Sequence, residues 1–374
     1  MRRRLDVQMA QRTRAGKSSK SKRGLDDYAR KRDFERTPEP AGARPAPDGE
    51  ERRFVIQQHD ATRLHWDLRL EHEGVLMSWA LPRGLPWDPE RNHLAVHTED
   101  HPLEYLTFEG DIPDGSYGAG MMTVWDSGTY QPEKIEDRKL VVVLHGQRSK
   151  GRYALFQTDG RNWMIHRMDP PDDPTRRHPP ERFELVQARP GEGPPDSGWA
   201  LETRWQGLRS VLTSSGGVVD LVSAAGEPID DNFPEVRPIG RALGFTEVAL
   251  DGVVAAPDGG DAYLRRRLEA RSDSTRRRLG RDQPVAFVAF DLLWLDGHPL
   301  TERPWHERRA RLDELALEGS AWTTPSAYEG DPAPLLEAAT ASGVDSLVAK
   351  RVDAPYDPSL DPSPWRIFPV PAAG

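Results

Sequence analysis

The segment Leu64-His65-Trp66-Asp67-Leu68-Arg69-Leu70 alternates strictly between apolar and chemically active side chains. A helix would scatter these residues around its circumference, whereas a β-strand puts every second one on a common face. The pattern predicts a strand with Leu64, Trp66, Leu68 and Leu70 on its apolar face. The other face lines up an imidazole, a carboxylate and a guanidinium, and His59 has the parity to join them after a turn. Buried without partners, such groups would each cost several kcal/mol. They are therefore either exposed to solvent or engaged with a metal and an anion. Two imidazoles and a carboxylate with open positions suit Mn, Zn or Fe(II). Arg69 beside them suits a bound phosphate or carboxylate. A solvated face of an antiparallel sheet is the alternative at this point.

The flanking chain fits a β-rich domain. Runs such as Phe54-Val55-Ile56, Leu94-Ala95-Val96, Met122-Thr123-Val124-Trp125 and Leu140-Val141-Val142-Val143-Leu144 are separated by Gly, Pro and Asp. They predict a compact β-barrel or sandwich over 54–168, preceded by an ordered patch at Tyr28 and Phe34, so the domain is placed at 25–168. Residues 1–24 hold nine Lys or Arg against Asp6 alone, a local charge of +8 in a chain of −9, which leaves −17 for the rest. A disordered basic arm on an acidic body is the pattern of a tail that finds a polyanion, or simply of a solvated terminus. Residues 169–197 are dense in proline and predict a semi-rigid linker. Beyond it, 198–374 reads as α+β, with buried strands at 246–256 and 285–294 and helical spacing at 305–317 and 334–341. Eight arginines between 263 and 281 predict an exposed helix and loop.

The absence of cysteine excludes disulfides, thiolate metal sites and cysteine nucleophiles, so any metal must sit on His and carboxylate. No run approaches the ~20 apolar residues of a membrane span, and the basic N-terminus lacks the apolar stretch of a signal peptide. A cytoplasmic, nucleoid-associated protein without a membrane partner is expected. A second polar cluster, His97, Glu99, Asp100, His101 and Tyr105, leads to the loop Gly110-Asp111-Ile112-Pro113-Asp114-Gly115-Ser116-Tyr117-Gly118-Ala119-Gly120. That loop has no Lys-Ser/Thr of a P-loop after it, so it reads as a turn rather than a phosphate cradle.

Taken in order, these strings resemble the 3′-phosphoesterase domain of bacterial DNA ligase D. The match runs through Lys31-Arg32-Asp33-Phe34, Thr37-Pro38-Glu39-Pro40, Phe54-Val55-Ile56-Gln57, His59-Asp60-Ala61, the 64–70 strand, Ser78-Trp79-Ala80 and Glu99-Asp100-His101-Pro102-Leu103. It continues through Phe108-Glu109-Gly110, Ile112-Pro113 and Tyr117-Gly118-Ala119-Gly120. The resemblance implies a manganese-dependent β-barrel enzyme that removes 3′-terminal ribonucleotides and 3′-phosphates. It implies metal ligands at His59, His65 and Asp67, and groups facing the scissile phosphate at Arg69, His101 and Tyr105. Arg32, Asp33 and Glu39 match supporting positions. His93 stands where the family usually has Arg, with Arg91 two residues earlier, which weakens a phosphate contact there.

The second half resembles the adenylation domain of ATP-dependent DNA ligases, an ATP-grasp-type nucleotidyltransferase fold. Thr203-Arg204-Trp205-Gln206-Gly207-Leu208-Arg209 resembles the opening Lys-x-Asp-Gly-x-Arg motif, and Leu250-Asp251-Gly252-Val253-Val254-Ala255 the third. Phe290-Asp291-Leu292-Leu293-Trp294 matches the strand near the adenine, and Val344-Asp345-Ser346-Leu347-Val348-Ala349-Lys350-Arg351 the fourth motif. The family's nucleophile is a lysine amine, and here that position is Arg204, a guanidinium that stays protonated. Gln206 replaces the motif's Asp, Val253 a Glu, and Asp345 another Glu. The terminal motif's lysines are missing from Trp365-Arg366-Ile367-Phe368, while Arg209 and Lys350 survive and could hold a nucleotide or DNA phosphate.

The expectation is a multidomain protein, an all-β barrel followed by a degenerate ligase adenylation domain. It would process DNA 3′ ends at a primer–template or nick, alongside end-joining repair proteins. Mn²⁺ or another divalent ion would be its cofactor, and ATP would not. The alternatives are an ATP-dependent ligase with unusual catalysis, a non-catalytic DNA-end-binding scaffold, or an Fe(II) oxygenase, which would need a distal His and a 2-oxoacid site that are not identifiable.

Overall fold

The computed structural model describes residues 25–42, 51–61, 63–195, 197–257 and 260–371, so the basic arm at 1–24 lies outside the described residues. The first half is built from β1 (Arg52–Asp60), β2 (Leu64–His72), β3 (Val75–Leu81), β4 (His93–His97), β5 (Gly110–Ile112), β6 (Gly120–Glu136), β7 (Lys139–Gly146), β8 (Lys150–Asp159) and β9 (Asn162–Arg167). Eight of them close a barrel in the order β1-β2-β3-β4-β9-β8-β7-β6 and back to β1, and short β5 pairs with β6 outside the ring. Each of these pairings is antiparallel.

Closure depends on β6. Its 17 residues are long enough to pair with both β1 and β7, and it shifts register at Ile56/Gln57 and Pro132/Lys134. Such bulges bend a strand and raise its twist, as a closed sheet requires. Gly120 (φ +138°) begins β6 so close to Asp60 that a β-carbon would run into the Asp60 carbonyl.

The apolar face of β2 enters the barrel. Trp66, Leu68 and Leu70 pack there with Phe54, Ile56, Trp79, Leu144 and Ile165, all at most 1% exposed. Each such side chain contributes about 1.5–3 kcal/mol on burial. The opposite face is buried too. Helix α1 (Asp26–Arg30) and the turn Leu103–Thr107 lay Tyr28 and Tyr105 against Leu76, Ile112 and Met122. Asp67 and Arg69, at 5% and 2% exposure, lie beneath this second layer, so the polar face of β2 is not a solvated surface.

The second half holds two sheets. One has the strand order Val218–Ser223, Leu208–Ser215, Val248–Ala255, Ala286–Leu295 and His298–Pro299, with Trp322–Thr323 beside Ala286–Leu295. The other runs Arg189–Pro190, Trp365–Pro369, Ser346–Arg351, Trp199–Thr203 and Ala327–Glu329. Helices Asp261–Glu269, Asp273–Asp282, Trp305–Glu314 and Pro332–Ala341 make this half α+β.

Two sequence expectations need revision. The proline-rich segment is not a free spacer: Val186 is buried against Val211 and Trp365, and Arg189–Pro190 forms a parallel pairing with Arg366 and Ile367. Its prolines suit an edge position, where a missing N–H costs nothing. The arginine-rich stretch is not wholly exposed either. Arg267 is fully buried, because Glu235 accepts from both of its terminal nitrogens at 2.7 and 2.8 Å.

Candidate active site

The β1–β2 hairpin places His59 directly opposite His65, and Gln57 opposite Asp67. The ligating atoms of His59, His65 and Asp67 all lie within 4.8 Å of one another. His59 Nδ1 is 3.5 Å from Asp67 Oδ2, and His65 Nε2 is 3.8 Å from Asp67 Oδ1. Neighbouring ligands of one ion, at bond lengths of about 2.0–2.2 Å, stand roughly 3 Å apart, so small rotations would close these three onto a single ion.

The far nitrogens decide the tautomers. His59 Nε2 is 2.9 Å from the Gly118 carbonyl, and His65 Nδ1 is 2.9 Å from the Arg63 carbonyl. A carbonyl only accepts, so each ring donates there and keeps its other nitrogen's lone pair toward Asp67. Fixing a ligand's tautomer through a backbone carbonyl is how metal-binding imidazoles are normally oriented. The residues present thus fit a divalent cation.

Arg69 fixes the carboxylate. Its Nη2 donates to Asp67 Oδ2 at 2.9 Å, its Nη1 to Ser78 Oγ at 3.0 Å and its Nε to Gln57 Oε1 at 2.8 Å. Burial works against the Asp67 charge, but the Arg69 guanidinium beside it holds the carboxyl well below its usual range. Gln57 is fully buried and donates to the Tyr105 and Phe108 carbonyls at 3.0 and 2.7 Å. It ties the guanidinium to the covering layer. Sequence reasoning missed it, although it has the parity of His59.

A second row closes the cavity of about 430 Å³ around this cluster, with Arg32, Glu39, Glu99, His101, Tyr105 and Tyr117 in its wall. Arg32 donates to Glu39 at 2.6 Å and to Glu99 at 2.9 Å, and Lys31 donates to Glu99 at 2.8 Å. Tyr105 donates its hydroxyl proton to Glu39. Burial, only partly offset by Arg69, pushes that phenol far above its ordinary range. Glu99 and Tyr117, the latter 3.2 Å from Lys31, stood in the sequence within a polar cluster, a turn and the family-like strings, with no role of their own.

His101 differs from expectation. Its Nδ1 is 2.8 Å from the Glu99 carbonyl and its Nε2 is 3.2 Å from Arg32 Nη2. An arginine only donates, so Nε2 accepts and the ring is neutral. Burial first, then the charges of Arg69 and Arg32, hold its pKa well below 6.5. In this arrangement Nε2 offers its lone pair to Arg32.

Two expected residues lie elsewhere. Asp33 is exposed in the turn after Arg32 and accepts from the Glu35 N–H at 3.2 Å. His93 opens β4 whereas His101 follows its end, so the length of the strand, roughly 15 Å, separates them. Its Nδ1 is 2.9 Å from the Gly84 carbonyl, and its ring lines a separate cavity with Arg83, Arg91 and Arg176. Burial, with Arg83, His178 and Arg91 nearby, holds its pKa below the ordinary value.

In the second half a cleft of about 370 Å³ gathers Arg204, Gln206, Arg209, Val253 and Lys350 over Phe290 and Trp365. Its inherited cations are internally engaged. Lys350 Nζ is 2.9 Å from Glu202 and donates to the Phe290 carbonyl at 2.6 Å. Arg209 grips Asp251 through two nitrogens, at 2.6 and 2.5 Å. Arg204 is exposed, and Gln206 donates to Asp345 at 3.3 Å.

Comparison with known proteins agrees with this two-part organisation. The family described as DNA Ligase D 3′-phosphoesterase domain matches residues 57–157, and the ATP dependent DNA ligase domain family matches 194–365. The chain is 39% identical over 352 residues to the multifunctional non-homologous end joining DNA repair protein LigD of Mycobacterium tuberculosis, covering 91% of this chain and 44% of that protein. It is 33% identical to the Pseudomonas aeruginosa protein LigD, covering 90% of this chain and 46% of that one. The chain therefore spans less than half the length of these relatives. Among solved structures, the ligase domain of M. tuberculosis LigD is 30% identical, covers 50% of this chain and 60% of that one, and gives a TM-score of 0.39.

Proposed function

We propose that this chain, which joins the 3′-phosphoesterase domain of DNA ligase D to an ATP-dependent DNA ligase domain, hydrolyses phosphate esters at DNA 3′ ends through its barrel. The observation that carries this reading is the convergence of His59 Nδ1, His65 Nε2 and the Asp67 carboxylate beside a buried Arg69. Mn²⁺ held by those three would supply Lewis-acid polarisation of a phosphate oxygen and a water of lowered pKa. Arg69 spends three of its five N–H donors on Asp67, Ser78 and Gln57, which leaves two for the oxygens of a bound phosphate. Preorganised donors of this kind stabilise charge that grows in the transition state. Neutral His101 and Tyr105 form the wall beside it and keep Arg32 in place. A 3′-phosphate or a 3′-terminal ribonucleotide is the substrate, and DNA ends in end joining are the setting.

The second half, on this reading, does not form a covalent adenylate. Arg204 stands at the nucleophile position, and the lysine that lines the cleft, Lys350, is held by Glu202. The test is incubation with a 3′-phosphate primer–template and Mn²⁺. Loss of the phosphate in the wild type, absent in EDTA and in His65→Ala, supports the reading. An inactive wild type, or equal activity in His65→Ala, overturns it.

A further inference from the structure

The metal-ligand hairpin is held from outside by the second half. The turn between β1 and β2 joins His59 to His65, and the Arg63 carbonyl within it orients the His65 ring. Arg241, on the helix Ile239–Leu243, reaches that turn. Its Nε is 2.8 Å from Asp60 Oδ1, and its Nη2 donates to the Ala61 carbonyl at 2.8 Å. Phe245, just past the helix, enters the end of the barrel. It meets Trp66 edge-on with ring centroids 4.5 Å apart and stacks on Trp125 at 4.4 Å. Gly217 sits so close under Leu64 that a β-carbon would overlap that side chain, and Gly84 makes the same close approach to Phe245. Trp66 lies between His65 and Asp67 on β2. Two contacts therefore bear on the ligands, one through the turn and one through the strand.

We infer that Arg241 and Phe245 are positioning residues for the metal centre, and that the ligase-like half serves the phosphoesterase by bracing the His59–His65 hairpin. An exposed ion pair alone is worth little. Here, however, Arg241 also satisfies a turn carbonyl, and Phe245 fills space against two tryptophans. A hairpin with a free turn would let the Arg63 carbonyl drift, and His65 would lose the orientation that presents Nε2. The effect is one of geometry and falls on metal affinity before it falls on chemistry.

This inference rests on the metal site proposed above, and the experiment separates the two. Mn²⁺ binding to the full chain is measured by the electron paramagnetic resonance signal of free ion, for wild type, Arg241→Ala, Phe245→Ala, Phe245→Leu and Arg176→Ala. The Arg241 side chain is 43% exposed, so its truncation leaves the fold intact if Phe245→Ala does not. Arg176 bridges the same two halves, over Trp87 at 4.4 Å and 3.3 Å from Glu247, without touching the hairpin. Expected is a dissociation constant raised about 10-fold in Arg241→Ala and Phe245→Ala, partly restored in Phe245→Leu, and within about twofold of wild type in Arg176→Ala. Unchanged affinity in Arg241→Ala and Phe245→Ala, or an equal loss in Arg176→Ala, would overturn the bracing role alone. A wild type that takes up no Mn²⁺ would overturn both it and the metal site.

Discussion

His59 and His65 face each other across the β1–β2 hairpin with ring centroids 4.6 Å apart, each anchored through its far nitrogen to a backbone carbonyl. The pair is therefore set by strand register, and removing one ring leaves the other in place. His59→Ala and His65→Ala should each abolish metal-dependent 3′-phosphate removal, a loss beyond the ~10–100-fold typical of outer-shell partners. Asp67→Asn is the better test of the third ligand. Asp67→Ala would leave Arg69 buried with an unpaired charge, at about 3–5 kcal/mol. Circular dichroism should show all three of these variants folded. Wild-type turnover in any of them would remove that residue from the site.

Gln57 links Arg69 to the covering layer, and its loss should be felt in both stability and rate. Gln57→Leu strands Arg69 Nε, the buried Tyr105 carbonyl and the half-buried Phe108 carbonyl. It should cost on the order of 2–4 kcal/mol in urea unfolding. The turnover rate should fall as Arg69 loosens, with the metal ligands themselves untouched. A variant as stable and active as wild type would show that the amide is incidental.

His101 gives a pH signature with a definite sign. Its native pKa lies well below its ordinary 6.5. Between those two values the unfolded chain binds a proton that the folded chain refuses. The contribution is therefore complete above the ordinary value and shrinks as pH falls toward the native one. His101→Gln retains an acceptor for Arg32 but cannot titrate. The stability lost between about pH 7 and pH 5 should be smaller in this variant than in wild type. It should not vanish, because the pKa of His93 is lowered too. An identical slope in the two proteins would place His101 in contact with solvent.

The parity of residues 64–70 was enough to put His65 and Asp67 on one face of a strand, because a half-buried strand leaves period-two alternation in its sequence. It could not say that the polar face is also buried. That depends on Tyr28 and Tyr105, which arrive from α1 and the turn Leu103–Thr107. Gln57 was overlooked because a lone amide carries no chemical signal until its partners are known. Asp33 was expected at the site together with Arg32 but is exposed, since a turn sends adjacent side chains in different directions. The contacts of Arg241 with Ala61 and of Phe245 with Trp66 link residues about 180 positions apart and leave no local pattern.

The ligase-like cleft should remain unmodified by ATP. Arg204 cannot attack a phosphorus atom, and Lys350 is tied to Glu202 and the Phe290 carbonyl. Intact mass after incubation with ATP and a divalent metal should show no added adenylate. Arg204→Lys alone should not restore one, because Gln206 and Val253 still stand where the family has acids. An adenylate on the wild type would make this half a working nucleotidyltransferase.

The basic arm should act on affinity and leave the bond-breaking step alone. Residues 1–24 carry +8, and the rest of the chain carries −17, so the arm is the segment that favours a polyanion. Each phosphate it neutralises releases counterion, and the logarithm of the binding constant falls with log salt by about 0.9 per phosphate on duplex DNA. Among the described residues the cavity wall begins at Arg32. Deleting residues 1–24 should therefore weaken DNA binding at low salt and flatten its salt dependence, while turnover at saturating DNA stays close to wild type. If the truncated chain bound DNA with the same affinity and the same salt slope, the charge asymmetry would have no part in DNA capture. The binding surface would then have to lie on the folded halves.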